Sequence, residues 1–502
     1  AERKVREALV ARQLETRWSK AALLEAYLNL IYLGAGAYGV AAGAEAYFGR
    51  PLATLTVDEA ALLAGLIQAP SRLDPRRDPA AARARRDEVL ARMGRSGRLD
   101  DAARIAAQAR PLGVIPATPG VVRAPWYADH VRRLVEESIP LEVARGGLVI
   151  ETAALPALAT RVDEAIVAAT AARADGDAIP EGAAVVWDHR TGYVLAVAGG
   201  RRWSLGGFDR LTQACRQPGS VWKPIVYAAA LERGAITQGT ALRDAPVAEY
   251  DEATAEHWKP RSGARFRGVA VAADALAYSL NAPAIDVLDR VGAPSVIALA
   301  RRLGITTEIS ELRPMALGAS CVVPLELARA YAILARGGWD VAVRVVVRVR
   351  QGEQVLFDAA DPADPWIDPA RRLDRLAAVA GRDLSVRAGA TRGQIVDERT
   401  AFLVRDLLTG VVTRGTATAA RALGRPAAGK TGTTNRASDA WFVGMTGRVT
   451  AAVWIGHDDP AHGLGRGADG AKVALPAWLA AVAAAEGTRP AEPVPGPAPP
   501  GL

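Results

Sequence analysis

Ser220 stands three residues before Lys223 in the run Arg216-Gln217-Pro218-Gly219-Ser220-Val221-Trp222-Lys223-Pro224, which passes from a loop into an apolar helical stretch. That spacing sets both side chains on one helix face, a turn apart, with the serine at the N-terminus. A hydroxyl is a weak nucleophile at neutral pH and needs a base within hydrogen-bond reach, which a neutral amine one turn away can be. Lysine ordinarily titrates near 10.4, so bringing it to ~7 requires roughly 4–5 kcal/mol of differential interaction. Burial, the positive end of a helix and a second cation are the means available.

Lys430 is the candidate second cation. In Lys430-Thr431-Gly432-Thr433-Thr434 an ammonium and hydroxyls form a corner suited to a carboxylate, and the glycine lets a substrate backbone approach. Backbone N–H groups of Ser220 and Thr433 could form an oxyanion hole, each donor contributing about 3–4 kcal/mol. Ser279-Leu280-Asn281, expected in a helical context after Tyr278, offers a hydroxyl to relay a proton and an amide to hold a substrate amide. Only six of the 62 basic residues are lysines, and both candidate amines are among them. Arginine cannot give up its proton at a working pH, so a site keeping lysine in such a chain points to that capacity. Taken alone, Ser220 reads as a helix cap; with all three motifs in this order, serine acyl transfer is the better reading.

The elements that must position these residues change character along the chain. Residues 1–95 read as helices: Ser19 can cap a segment whose Leu24, Tyr27, Leu28 and Ile31 share a face, and Thr56-Val57-Asp58-Glu59 is a capping box. Residues 96–182 are mixed and read as a linker module. From 183 to 485 the texture is α+β with an antiparallel sheet: a hairpin over Ala184–Val197 turning at His189–Gly192, a second over Val341–Phe357, and helices over Trp222–Arg233 and Pro324–Ala335. The Pro-rich tail, 486–502, is expected to be disordered.

Bulk properties narrow the field. A chain of 502 residues exceeds one core, and no run of about 20 apolar residues offers a membrane span. The net charge of +8 favours anionic partners, yet no basic cluster is interleaved with aromatics, so nucleic acid is not an expected partner. Cys215 and Cys321 are too few for a disulfide framework and read as two buried free thiols. The five histidines form no metal motif, and no metal is expected at the acyl-transfer site.

The three motifs resemble the transpeptidase domain of class A, bifunctional penicillin-binding proteins. The likeness extends to Arg210–Ala214, Met315–Gly318, Pro324–Ala328, Asp439–Gly444 and Val453–Gly456, covering about Ala183 to Ala484. It implies that Ser220 attacks a D-Ala-D-Ala stem peptide and Lys223 takes its proton. Ser279 and Asn281 would help protonate the leaving D-Ala, while Lys430, Thr431, Gly432, Thr433 and Thr434 bind the terminal carboxylate end. A neighbouring stem amine then takes the acyl group, and β-lactams acylate Ser220. The β-lactamase alternative needs a second base that this stretch lacks, since no Asn stands between 281 and 435, so a long-lived penicilloyl adduct is expected. The ratio of transpeptidation to hydrolytic carboxypeptidation stays open, as does a non-catalytic scaffold.

The N-terminal portion resembles the later part of the glycosyltransferase domain of the same family. Arg3-Lys4-Val5-Arg6-Glu7 carries one motif, and Lys20, Glu25, Tyr27, Leu28, Asn29, Gly34, Gly39, Tyr47, Phe48 and Gly49 the next. The likeness implies a lysozyme-like helical domain acting on lipid II, with Arg3 and Lys4 on the diphosphate and Glu7 as a second acidic catalytic residue. Residues alone leave Glu7 equally readable as half of a surface ion pair. The family's main acidic motif, Gln-Gln segment and membrane helix have no counterpart, so the chain is expected to be part of a longer, anchored protein. The resemblance places it on the extracytoplasmic, periplasmic face of the cytoplasmic membrane, with cell-wall synthesis proteins as partners. It needs no cofactor for transpeptidation; a divalent cation enters only for glycosyl transfer.

Overall fold

The computed structural model describes residues 11–12, 14–35, 37–70, 72–116, 124–145, 147–173, 178–251, 256–260, 265–341, 343–359, 393–434, 437–494, 496 and 498–499. The chain divides into two compact units: Ala1–Val121 with Arg132–Ile150 and Arg348–Phe357, and Val122–Val131 with Glu151–Val347 and Asp358–Leu502. Residues 96–182, read from sequence as a linker module, are shared between these two units.

The first unit is mainly helical: α1 (Lys20–Leu30), α2 (Val40–Phe48), α3 (Val57–Leu66), α4 (Pro79–Arg95) and α5 (Asp101–Ala109). Ser19 caps α1 by accepting from the Ala22 N–H. The expected box opens α3, where Glu59 accepts from the Thr56 N–H at 2.8 Å. Leu33, Tyr47, Leu62, Leu63 and Leu66 form its core, and the one polar tip, Tyr47, donates to Leu33 O at 2.9 Å. The expected second hairpin is the pair Val346–Gln351 and Gln354–Asp358, in a three-stranded sheet with Leu148–Thr152.

The second unit is built on a five-stranded antiparallel sheet. Its elements in chain order are α6 (Pro156–Ala171), β1 (Glu181–Asp188), β2 (Tyr193–Ala198), α7 (Lys223–Glu232), α8 (Ala272–Ala277), α9 (Asn281–Val291), α10 (Pro324–Ala335), α11 (Glu398–Thr413), β3 (Ala428–Thr433), β4 (Asp439–Met445), β5 (Val449–Gly456) and α12 (Gly470–Glu486). Strand order is β3-β4-β5-β1-β2, so β3 is an edge strand. Strands β1, β4 and β5 are buried along almost their whole length. Their near-continuous apolar runs match a sheet covered on both faces: α6 and α12 pack on it, as do α10 and α11. Trp478 of α12 meets Phe442 of β4 edge-on at 4.9 Å and donates from its indole to Ala451 O at 3.1 Å.

The tail read as disordered is held at its start. Arg425 donates to Gly487 O and Arg489 O, and Glu492 pairs with Arg190. Proline removes N–H donors but leaves carbonyl oxygens and neighbouring side chains available, and arginines use both. Among the described residues no helix is long and apolar enough to cross a membrane.

Trp478→Ala should lower the stability of the second unit by about 3–5 kcal/mol, through lost burial and the cavity left behind. Urea unfolding followed by tryptophan fluorescence checks this; a loss below ~1 kcal/mol would contradict the packing described.

Candidate functional site

Ser220 is half-buried within a single 3-10 turn, Gly219–Trp222, and α7 begins only at Lys223. The turn's position is set by bonds from distant elements. Tyr331 of α10 donates to Val221 O at 2.7 Å, and Trp441 of β4 donates from its indole to Gln217 O at 2.8 Å. The buried guanidinium of Arg216 reaches Asp439 Oδ1 at 2.9 Å, His457 O at 2.6 Å and Asp458 O at 3.1 Å, and lies over the Trp454 ring. Gly219 adopts φ 54°, and a Cβ there would lie 2.9 Å from Thr433 O. A side chain at this point would push the loop off the sheet edge, so glycine brings Ser220 against β3. Cys215 and Cys321, read from sequence as free thiols, form a disulfide with Cα atoms 5.2 Å apart. They are 106 positions apart, and only the fold brings them within bonding range.

The two amines converge on Ser279. Lys223 Nζ donates to Ser279 O at 2.7 Å, Asn281 Oδ1 at 2.6 Å and Leu280 O at 3.1 Å, and lies 3.4 Å from Ser279 Oγ. Lys430 Nζ donates to the same Ser279 Oγ at 2.8 Å and to Thr431 O at 3.0 Å. The expected helical context at Ser279 is interrupted. The residue has φ 58° and lies between α8 and α9, with Leu280 as the N-cap of α9. The left-handed conformation is unfavourable for a non-glycine residue and persists where the surroundings over-determine it. At this break the Ser279 and Leu280 carbonyls both accept from Lys223.

Both amines have 0 % exposure. Burial pushes Lys223 well below the ordinary lysine range, and the charge of Lys430 pushes it further in the same direction. Burial alone brings Lys430 to about 7. The carbonyl acceptors around Lys223 favour its charged form, against these two effects. Desolvation acts on the whole ammonium and is the larger influence, so the direction is downward.

Strand β3 supplies the opposite wall. Thr434 N–H bonds to Asp439 O at 3.1 Å, so the alternation of an antiparallel ladder turns the Thr433 N–H away from β4, toward the open sheet edge. A Cβ on Gly432 would lie 2.6 Å from Pro218 O, which makes this glycine a contact for the loop that carries Ser220. Thr431 Oγ1 lies 2.8 Å from Thr416 Oγ1, and Thr433 Oγ1 accepts from the Gly470 N–H at 3.0 Å. Thr434, expected among the substrate contacts, has its hydroxyl engaged in its own turn, with Ser438 Oγ at 2.8 Å and the Asp439 N–H at 2.9 Å.

Of the residues singled out in the sequence, Lys223, Ser279, Asn281 and Lys430 are in contact, and Ser220 lies on the turn that precedes Lys223; the residues that hold them, Arg216, Asp439, Thr416, Tyr331 and the disulfide, were given no such part. Arg216 and Asp439 carried a signal, since the first opens the run that holds Ser220 and the second opens the segment Asp439–Gly444; Thr416 and Tyr331 carried none. Arg3, Lys4 and Glu7 lie outside the described residues. Among the described residues no three His, Cys, Asp or Glu side chains are grouped to hold a metal ion.

Residues 1–94 match the Transglycosylase family, and residues 182–476 match the family described as penicillin binding protein transpeptidase domain. The chain is 30% identical to penicillin-binding protein 1A of Rickettsia felis, over 95% of this chain and 72% of that one. Its fold is similar to that of penicillin-binding protein 1A from Haemophilus influenzae, with a TM-score of 0.73 at 24% identity over 97% of this chain and 88% of the other. It is also similar to PonA1 of Mycobacterium tuberculosis in complex with penicillin V, with a TM-score of 0.59 at 25% identity, over 74% of this chain and 95% of the other.

The depressed lysines make stability depend on pH. Between about 7 and 10.5 the unfolded chain holds a proton on Lys430 that the folded chain does not, so stability rises with pH across that window. Below about 7 both states hold it and the slope disappears. Lys430→Met should reduce the slope by up to ~1.4 kcal/mol per pH unit. Urea midpoints of both proteins from about pH 7 to about pH 9 measure it; parallel curves would rule out a depressed Lys430.

Proposed function

The chain belongs to the class A, bifunctional penicillin-binding proteins, which polymerise and cross-link peptidoglycan, and from that premise we propose how its residues divide the work of acyl transfer. It is a serine D,D-transpeptidase that acts on stem peptides and is acylated by β-lactams. The observation that carries the residue assignment is the convergence of Lys223 and Lys430 on Ser279, which joins three short motifs lying far apart in sequence into one buried cluster.

Ser220 Oγ attacks the carbonyl carbon of the penultimate D-Ala, and its proton passes to the uncharged amine of Lys223. The N–H groups of Ser220 and Thr433 receive the developing oxyanion, the latter because ladder alternation aims it off the sheet edge. The tetrahedral species collapses as the C–N bond breaks. The leaving amine takes the proton from Lys223 by way of Ser279 Oγ, 3.4 Å away. An acceptor stem amine then attacks the acyl-enzyme, Lys223 removes its proton, and that proton returns to Ser220 as the new amide leaves.

Lys430 sets the protonation state of the pair. With its pKa brought to about 7, it is poised between charged and neutral forms. An anionic substrate terminus arriving beside Thr431 and Thr433 favours the ammonium, and that charge in turn keeps Lys223 neutral and able to accept a proton. The carboxylate thereby prepares the base that its own peptide needs. Asn281 Oδ1, 2.6 Å from Lys223 Nζ, aims the amine.

The acyl transfer proposed here runs on protein groups alone; a divalent cation belongs with glycosyl transfer on lipid II, in which Arg3, Lys4 and Glu7 would take part. The working location is the extracytoplasmic face of the cytoplasmic membrane, among cell-wall synthesis proteins. The Cys215–Cys321 bond supports that location, since such bonds persist in oxidising compartments.

Labelling with a fluorescent penicillin should give a covalent, denaturation-resistant adduct with the wild type and none with Ser220→Ala. Lys223→Met should slow labelling about 10²–10⁴-fold, the usual worth of a positioned base. An adduct retained by Ser220→Ala would refute the nucleophile assignment.

A further inference from the structure

We propose that the Cys215–Cys321 disulfide is a positioning device for catalysis: it clamps the loop carrying Ser220 against residues 318–322 and so governs how fast the serine is acylated. The proposal rests on Ser220 being the nucleophile.

The loop 211–219 runs antiparallel beside 318–325. Leu325 N–H donates to Leu211 O at 3.0 Å, Arg216 and Val322 exchange two bonds of 2.9 Å, and Gly219 N–H donates to Gly318 O at 3.3 Å. The contact nearest Ser220 is therefore the longest. There, two glycines with positive φ, 54° at Gly219 and 76° at Gly318, press backbone to backbone. A Cβ on Gly318 would lie 2.3 Å from Gly219 O. With no side chains to interlock, this contact is close backbone packing, and glycine is what allows the positive φ on both sides of it.

The two flanks of the loop are held by different means. Toward the sheet, Arg216 is buried and ion-paired with Asp439, and Trp441 is bonded to Gln217 O. Toward 318–322 the link itself lies near the surface, with Cys215 exposed and Cys321 half-buried, while Gly318 and Val322 on either side of it are buried. Apolar burial at Val322, Leu211 and Ala214, a few backbone bonds and one covalent link hold that flank, and the covalent link stands four residues from Gly219 and three from Gly318. Opening the link would let the glycine pivot swing Ser220 and its N–H relative to Lys223 and Thr433. A misplacement of about 1 Å can slow a reaction about 10²-fold.

The test compares the wild-type chain with Cys215→Ala/Cys321→Ala. The acylation time course is followed over a range of fluorescent penicillin concentrations, to separate pre-covalent affinity from the acylation step. The acylation step should slow by about 10–10²-fold, affinity should change less than about twofold, and the cooperative thermal transition should persist. In a second arm a dithiol reduces the wild type: two electrons and two protons pass to the cysteine sulfurs and the dithiol closes into its own disulfide. The same slowing should appear, and reoxidation should restore the rate. Rate recovery on reoxidation distinguishes positioning from simple stabilisation.

An unchanged acylation step, with both thiols shown free by maleimide labelling, would overturn the clamp. So would loss of the thermal transition in both arms, which would make the bond a staple of the whole fold. Failure of the underlying assignment looks different, because Ser220→Ala would then still be acylated.

Discussion

Two ammonium groups brought out of water beside one hydroxyl oxygen are the constraint on which the rest of the structure turns. Lys223 and Lys430 are both fully buried and both lie within reach of Ser279 Oγ. Among the described residues neither has a carboxylate partner there, and their acceptors are carbonyl and hydroxyl oxygens. Desolvation, joined at Lys223 by the charge of Lys430, therefore acts unopposed by ion pairing, and each amine is driven toward the neutral form. A carboxylate at hydrogen-bond distance would satisfy the charge and leave a structural ion pair in place of a base.

This arrangement requires a scaffold that resists relaxation, because a buried cation gains by moving toward water. Strand β3 is an edge strand, so it can present Lys430 and the Thr433 N–H to a groove without breaking the ladder on its other side. Helix α12 covers the sheet behind it, and its first N–H is held by Thr433 Oγ1. Across the groove the break between α8 and α9 exposes carbonyls that Lys223 needs, at the expense of a left-handed serine. The residue that both amines touch is thus one of the four non-glycine residues with positive φ among the described residues.

Charge pairing is kept one step away from the chemistry. Arg216, four residues before Ser220, forms a buried pair with Asp439, and Trp454 donates to the same carboxylate oxygen at 2.9 Å. Placed there, the pair fixes the loop to β4 and β5 without altering the protonation of Lys223, whose shift has burial and Lys430 as its causes. The disulfide fastens the other side of the same loop. Three kinds of force, ionic, covalent and backbone, thus hold one short turn.

Much of this was legible in the residues alone. The Ser220 and Lys223 spacing, the lysines surviving in an arginine-rich chain, the hairpin that became β1 and β2, and the capping box at Thr56 are local features. Helical periodicity, turn chemistry and side-chain type are properties of neighbouring residues and need no fold to be read. What tertiary structure decided is which distant segments meet. That Ser279 joins the two amines, that its helix breaks to aim carbonyls at Lys223, that α6 belongs to the catalytic unit, and that two apparently free thiols bond across 106 positions all depend on chain packing. A pKa falls when water is excluded and a like charge is near, and both conditions are created only when remote parts of the chain close over the same point.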